Sequence, residues 1–176
     1  DGENIRTIKN IDLAKRRAVV SQASMLSFPF LVHEVVTMGR APHFGSPAQA
    51  RDDEVIEAAI RIMDLAALVD RNYLTLSGGE RKRVDIARAL AQVWDPPVTG
   101  HARWLFLDEP TSALDLKHQI SLMKRLSSLA KSGWGIVAVL HDLHLVREYA
   151  DDVWLFKAGI IVEQGQSETV LTNSSV

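Results

Sequence analysis

Asp108 and Glu109 stand side by side directly after an apolar run, in the segment RWLFLDE. Such a run is typical of a parallel strand covered on both faces, with polar residues emerging at its carboxyl end. Phosphoryl transfer from a nucleotide needs one carboxylate near Mg²⁺ and a second group that orients or activates the attacking water. Two neighbouring acids can divide these tasks, although a lone Asp-Glu pair fits an acidic helix cap equally well.

Two further polar residues follow predicted strands. His141 ends the run IVAVLH, where it could donate a hydrogen bond to a γ-phosphate oxygen, and Gln22 follows the run AVVS. Taken singly, a histidine at a strand end is more often structural, and a glutamine there is usually a loop residue. The order and spacing of these two residues with Asp108 and Glu109 favour a nucleotide site at the carboxyl edge of a sheet.

The segment LSGGE opens a helical pattern with unusually bare backbone. A helix N-terminus presents unpaired N–H groups and the positive end of the macrodipole. Ser77, Gly78 and Gly79 leave room for a phosphate to approach these groups closely, so the segment indicates an anion site.

Hydrophobic periodicity predicts the elements that position these groups. Strand and helix alternate in the central part, which predicts an α/β fold with a mostly parallel sheet. The signature helix buries one face, made of Val84, Ile86, Ala87, Leu90 and Ala91. The other predicted elements are strands at 18–21, 103–109 and 135–141, helices at 31–40, 46–69 with Ser46 and Pro47 at its start, 114–133 and 142–150, and a hairpin turning at Ala158 and Gly159.

Composition excludes several classes of protein. The 176 residues suffice for one compact domain, and a net charge of -2 argues against non-specific binding to nucleic acid or to an anionic membrane surface. Without cysteine the sequence supplies neither a disulfide framework nor a thiolate metal site. No apolar run approaches the roughly 20 residues that cross a bilayer.

With its motifs in this order, the chain resembles the nucleotide-binding subunits of ABC transporters over nearly its whole length. The matching segments are Gln22 for the Q-loop glutamine, LSGGE for the signature, with Glu80 where the commonest form has glutamine, WLFLDE for the Walker B strand and its following glutamate, SALD at 112–115 for the D-loop, and His141 for the switch histidine.

This resemblance implies a P-loop NTPase-like α/β fold with a mostly parallel sheet and a helical signature subdomain. Residues 1–176 would form one partial nucleotide-binding domain. Its helical subdomain would span about 31–95, and its catalytic core strands would lie at about 18–22 and 103–165.

The resemblance also implies roles for the polar residues, with ATP and Mg²⁺ as cofactors. Asp108 and Gln22 would hold Mg²⁺, largely through water. Glu109 would polarise the attacking water, and His141 would contact the γ-phosphate. Gln22 would in addition link the site to the membrane partner.

In this family the subunits form a head-to-tail homodimer with two nucleotides between them. Ser77, Gly78, Gly79 and Glu80 would therefore contact the ATP bound to the opposite subunit, and Asp115 would lie at the seam. The resemblance further implies transmembrane permease subunits, indirectly a substrate-binding protein, and a peripheral position on the cytoplasmic face of the bacterial inner membrane.

A narrower resemblance points to hemin, and hence iron, as the cargo. The segment LSFPFLVHEVVTMGRAPH and the long connection AQVWDPPVTGHARWLFLDEP are similar to those of the ATPase subunits of bacterial hemin importers. A ferric-siderophore or cobalamin importer is an alternative, as are a soluble ABC protein without a permease and a non-catalytic regulatory fragment.

The histidines offer a separate alternative, because His141 and His144 have the i, i+3 spacing that could bind a metal or heme. With the family resemblance, the histidines other than His141 are interpreted as surface or packing residues, namely His33, His43, His101, His118 and His144.

The chain departs from the family at one motif. The phosphate-cradling pattern G-x-x-x-x-G-K-[ST] does not occur, and only 21 residues precede Gln22. We therefore expect an N-terminally incomplete subunit, lacking its first strands and P-loop, that alone neither binds ATP tightly nor hydrolyses it. The C-terminus is also expected to stop early.

Overall fold

The computed structural model describes residues 3–22, 26–95, 102–112 and 114–171. Its strands are β1 (Arg17–Val20), β2 (Arg103–Asp108), β3 (Trp134–Val139), β4 (Asp152–Lys157) and β5 (Ile160–Gln166). Its α-helices are α1 (Asn10–Arg16), α2 (Val32–Met38), α3 (Asp52–Ile62), α4 (Gly78–Gln92), α5 (Leu116–Lys131), α6 (Leu143–Tyr149) and α7 (Ser167–Val170). Short 3₁₀ helices occupy Ala41–His43, Pro47–Arg51, Ala66–Leu68 and Tyr73–Thr75.

The central sheet is parallel, in the order β1-β2-β3. Val20 pairs with Leu107, and Asp108 pairs with Val139, so all three strands end at the same edge. This arrangement places the residues that follow the strands next to one another.

One face of this sheet is buried and the other is exposed in the described residues. Leu105 and Leu107 are buried in a core that also contains side chains from α4 and α5. On the opposite face, Trp104 is exposed and lies over Gly135 of β3, where an added Cβ atom would come within 2.4 Å of the indole ring. The prediction that β2 is covered on both faces is therefore wrong for this part of the chain, because the helices cover only one of them.

Helices α2, α3 and α4 pack against one another beside the sheet. The predicted apolar face of α4 is confirmed, since its members Val84, Ile86, Ala87, Leu90 and Ala91 are all buried. Helices α2 and α4 approach so closely at Gly39 that a Cβ atom there would lie 2.2 Å from the carbonyl oxygen of Arg88. Only glycine permits this approach. The predicted bounds of the helical subdomain stay a prediction.

The structure differs from the predicted elements in two places. The segment after Ser46 begins as a 3₁₀ helix over Pro47–Arg51, and the α-helix starts only at Asp52. Three acids fill the first turn of α3, where carboxylates stabilise a helix N-terminus. Helix α1 was not predicted at all, because none of its residues is buried and the apolar periodicity is consequently absent.

The C-terminal hairpin is confirmed. Strands β4 and β5 pair antiparallel, and the turn residues Ala158 and Gly159 have φ values of 52° and 79°. Two successive positive φ angles are the signature of the tight turns that suit the twist of a hairpin. Across the described ranges, no helix combines the length and the apolarity needed to span a membrane.

Candidate functional site

Glu109 is the centre of a three-residue hydrogen-bonded cluster. Gln22 Nε2 donates to Glu109 Oε2 at 2.9 Å, and His141 Nε2 lies 2.7 Å from Glu109 Oε1. An ionised carboxylate only accepts hydrogen bonds, so His141 donates and carries its proton on Nε2. Glu109 is 22% exposed and His141 75% exposed, so the cluster opens to solvent. The structure thus brings together the three residues predicted to be catalytic.

The sheet register explains why these residues meet. Gln22 lies two residues after β1, Glu109 one residue after β2, and His141 two residues after β3. Because the strands are parallel and end at one edge, side chains separated by 87 and 32 positions along the chain converge there.

The backbone of Glu109 adopts a left-handed conformation, with φ at +44°. Its carbonyl accepts hydrogen bonds from the Ser112 N–H at 3.3 Å and the Ser112 hydroxyl at 3.0 Å, which stabilise the turn after β2. A non-glycine residue in this region costs on the order of 1–3 kcal/mol, and such residues concentrate at functional sites. Asp64 and Ala158 share this conformation away from the cluster, so the backbone of Glu109 supports a functional role only together with its hydrogen bonds.

A small cavity of about 150 Å³ lies against this cluster. It is lined by Glu109, Thr111, Ser112, Gln119, Leu140, His141 and Asp142. Since a liquid water occupies about 30 Å³, the cavity can hold a few waters beside the Glu109 carboxylate.

Asp108 ends β2 with an exposed side chain, next to the cluster. Within the described residues, no group of three or more His, Cys, Asp or Glu side chains could hold a metal ion by itself. Asp108 and Gln22 nevertheless offer a carboxylate and an amide oxygen, which are hard donors of the kind Mg²⁺ prefers, and Mg²⁺ usually keeps several waters. The residues present therefore fit a Mg²⁺ held largely through water.

The signature segment forms the N-terminus of α4 as a capping box. The Glu80 N–H donates to Ser77 Oγ at 3.3 Å, and the Glu80 carboxylate accepts from the Ser77 N–H at 2.8 Å. The Ser77 N–H, followed by the Ser77 side chain, holds the pKa of the Glu80 carboxyl below its ordinary value. Glu80, the departure from the commonest signature, thus completes the cap. The helix start predicted at this segment is confirmed, and the nucleotide contacts of Ser77, Gly78 and Gly79 stay a prediction.

We expect Glu80→Gln to change how stability depends on pH. Because the folded-state pKa is lowered, the contribution of the charged Glu80 is present above its unfolded value of 4.5 and is lost as the pH falls through the folded pKa. The advantage of the native protein over Glu80→Gln should therefore shrink below pH 4.5. Urea unfolding at a series of pH values from about 7 downwards measures this difference in the free energy of unfolding.

The matched control is Glu57→Gln, on the exposed face of α3. Glu57 has no part in a cap, so this variant controls for the removal of one carboxylate charge elsewhere on the surface. A Glu80→Gln difference that does not shrink below pH 4.5 would contradict the assigned role of the carboxylate.

Asp115 caps α5 rather than joining the cluster around Glu109. Its Oδ1 accepts from the His118 N–H at 2.9 Å and lies 2.8 Å from His118 Nδ1. The His118 backbone N–H is the main reason that the pKa of the Asp115 carboxyl lies below its usual range. In the described part of the chain, the hydrogen bonds of Asp115, Ser77 and Glu80 are all local, and none reaches Glu109.

The remaining histidines have different surroundings. His43 is buried, with Nε2 2.8 Å from the Gln92 carbonyl oxygen and Nδ1 3.8 Å from Asp95, and therefore packs between elements. His33 and His144 are exposed, and His118 belongs to the α5 cap. His101 lies outside the described residues.

Sequence analysis missed two buried cations. Arg40 is 3% exposed and pairs with Asp52 at 2.7 Å and Asp95 at 2.8 Å. Lys82 is 5% exposed, and its ammonium lies against backbone carbonyls near Gln22 and Asp108. Neither residue type is normally buried. The only sequence signal was that Lys82 shares the helix with the signature segment.

A parallel sheet whose strand ends gather Gln22, Glu109 and His141, beside a helix that begins at LSGGE, defines the nucleotide-binding domain of the ATP-binding-cassette class. The chain belongs to the ABC transporter family, whose model matches residues 1–112. The predicted family and fold class are thereby confirmed.

Two individual relatives within this family are similar to the whole chain. The chain is 47% identical over 178 residues to the hemin import ATP-binding protein HmuV of Hahella chejuensis, covering all of this chain and 67% of the relative. It is 41% identical over 176 residues to the protein of the same name from Mesorhizobium japonicum, again covering all of this chain and 67% of the relative. The chain thus spans about two thirds of the length of these relatives.

Solved structures agree in fold. CbiO1 from Clostridium perfringens, part of an ABC transporter complex, superposes with a TM-score of 0.75 at 28% identity, covering 93% of this chain and 62% of that one. A dimeric ATP-binding cassette in a post-hydrolysis state, bound to ADP and Pi, superposes with a TM-score of 0.73 at 25% identity. The match covers 92% of this chain and 68% of that one.

Proposed function

We propose that this chain is the catalytic part of the ATP-binding subunit that energises hemin import through an ABC permease. The observation that carries the proposal is the convergence of Gln22 and His141 on the Glu109 carboxylate. The cargo rests on the relatives named hemin import ATP-binding protein, which are similar over the whole of this chain.

Glu109 is the residue placed to act on water. Its two oxygens accept from two different donors, so the carboxylate is held in one orientation beside a cavity that can hold water. A carboxylate so placed can accept the proton of a water that attacks the γ-phosphate of ATP. Asp108 and Gln22 would hold Mg²⁺, which when bound neutralises phosphate charge.

His141 has a second task in this proposal. Its Nε2–H donates to Glu109 in the structure, and its ring is largely exposed. When a nucleotide is bound, the same N–H can donate to a γ-phosphate oxygen, which frees one oxygen of Glu109 for the attacking water. The hydrogen bond between His141 and Glu109 would then belong to the state without nucleotide.

The signature segment would act on a second copy of the chain. The bare N-terminus of α4, with Ser77, Gly78 and Gly79, can bind a phosphate, which in this proposal belongs to ATP on the opposite subunit of a head-to-tail homodimer. Asp115 would lie at the seam of this dimer. A similar ATP-binding cassette is dimeric in its post-hydrolysis state, which supports the arrangement. Permease subunits, and through them a substrate-binding protein, would complete the importer at the cytoplasmic face of the inner membrane.

The test uses the protein expressed from its complete reading frame and reconstituted with its permease in vesicles. ATP hydrolysis is measured with a hemin-loaded and with a ferric-siderophore-loaded binding protein. Stimulation by hemin alone is the expected result. Stimulation by the siderophore alone would overturn the cargo and leave the ATPase standing, whereas a complex that never hydrolyses ATP would overturn the proposal itself.

A further inference from the structure

Lys82 is a buried lysine with an unusual set of partners. It lies in the second turn of α4, and its Nζ is 3.1 Å from the Ser21 carbonyl oxygen, 3.3 Å from that of Gln22 and 3.4 Å from that of Asp108. An ammonium has three N–H donors and no acceptor, so three carbonyls match its hydrogen-bonding capacity. Within the described residues its contacts are these carbonyls, and no carboxylate forms an ion pair with it.

The three carbonyls lie where the ladder between β1 and β2 ends. The last paired residues are Val20 and Leu107, and beyond them the backbone runs on to Gln22 after β1 and to Asp108 at the end of β2. The Lys82 ammonium contacts carbonyl oxygens of both of these backbone segments. It therefore takes the place of ladder hydrogen bonds at the point where the backbone must hold the side chains of Gln22 and Glu109.

The same lysine connects this edge to the signature helix. Lys82 is two residues after Glu80 in α4. Its side chain therefore links the capped N-terminus of this helix to the ends of β1 and β2. Because the side chain is 5% exposed, water cannot easily replace the lost donors if the ammonium is removed.

We propose that Lys82 is a positioning residue for ATP hydrolysis, which sets the Gln22 backbone relative to the Asp108 backbone and thereby maintains the 2.9 Å hydrogen bond between Gln22 and Glu109. This inference rests on the proposed function of Glu109. Lys82 contacts no reacting atom in this scheme, and it acts through the two segments that it holds.

Lys82→Met is the informative variant, because methionine fills similar space but has no N–H donors. In the protein from its complete reading frame, kcat for ATP should fall by about 10- to 100-fold, since misplacement by about 1 Å can cost 10²-fold. The KM for ATP should change by less than about threefold, because Lys82 contacts no nucleotide in this scheme. Lys82→Gln retains two N–H donors without the charge and should recover part of the lost kcat.

The control is Lys124→Met, which removes an exposed lysine from α5 and should leave kcat unchanged. A double-mutant cycle with Gln22→Ala separates positioning from general stability. If Lys82 acts through Gln22, Lys82→Met should cost much less in the Gln22→Ala background than in the native one, because the effects of coupled residues are not additive.

Two results would overturn the inference while leaving the proposed function intact. One is a folded Lys82→Met protein with native kcat, and the other is a cycle in which the two losses simply multiply. If Lys82→Met does not fold, Lys82→Gln takes its place in the cycle, and losses that simply multiply with those of Gln22→Ala have the same meaning there. A native protein that hydrolyses no ATP would instead overturn the proposed function.

Discussion

Replacing Glu109 with Gln is expected to lower kcat for ATP hydrolysis by about 10²- to 10⁴-fold, the range that a general base contributes. The amide cannot accept a proton from the attacking water. It also has one acceptor oxygen where the carboxylate has two, so either Gln22 or His141 then faces an amide NH₂. ATP binding should persist, because the substitution removes the group that acts on water and adds no bulk.

Steady-state hydrolysis and nucleotide binding by calorimetry, on the protein from its complete reading frame, measure both halves of this prediction. Glu57→Gln makes the same chemical change on the exposed face of α3 and should leave kcat and affinity unchanged. Undiminished hydrolysis by Glu109→Gln would show that another group activates the water. Loss of ATP affinity together with kcat would assign Glu109 to binding.

Arg40→Met is expected to give the largest loss of stability, about 3 kcal/mol in the free energy of unfolding. Arg40 Nε donates to Asp52 at 2.7 Å, while its Nη atoms donate to Asp95 and to the Ala91 carbonyl, both at 2.8 Å. Removing the guanidinium takes its cation from Asp52, leaves Asp95 with the more distant Arg51 at 3.5 Å, and leaves a buried carbonyl without its donor. This guanidinium joins the end of α2, the start of α3 and the segment after α4.

Urea unfolding followed by circular dichroism gives the change in free energy. Arg61→Met, at an exposed position near the end of α3, is the matched control and should change stability by no more than about 0.5 kcal/mol. A loss below about 1 kcal/mol for Arg40→Met would mean that the ion pairs contribute no more than surface pairs do.

Sequence alone determined the features that depend on neighbouring residues. The helix over Gly78–Gln92 followed from its apolar face and from the Ser77–Glu80 cap, which are contacts within one or two turns. The hairpin at Ala158 and Gly159 and the three parallel strands likewise follow from short-range patterns. Short-range reasoning also had limits, since neither α1 nor the 3₁₀ segment before Asp52 has a buried residue, and so neither has an apolar face that marks it in the sequence.

The candidate site was predictable as a set of residues but not as a geometry. Gln22, Glu109 and His141 were singled out because polar residues follow apolar runs and because parallel strands end together. Their hydrogen bonds at 2.9 Å and 2.7 Å, and the left-handed backbone of Glu109, depend on the register between strands that are far apart in the chain.

Tertiary structure alone decided what Arg40 and Lys82 do. Each occupies a helix-rich segment in which a cation is ordinarily solvated, and nothing local distinguishes them from exposed residues such as Arg61 or Lys124. Their burial results from long-range packing, which brings the ends of strands and helices around one side chain and leaves carbonyls and carboxylates there that need a donor. Residue spacing therefore predicted which side chains meet at this site, and only packing across the chain revealed the buried cations Arg40 and Lys82.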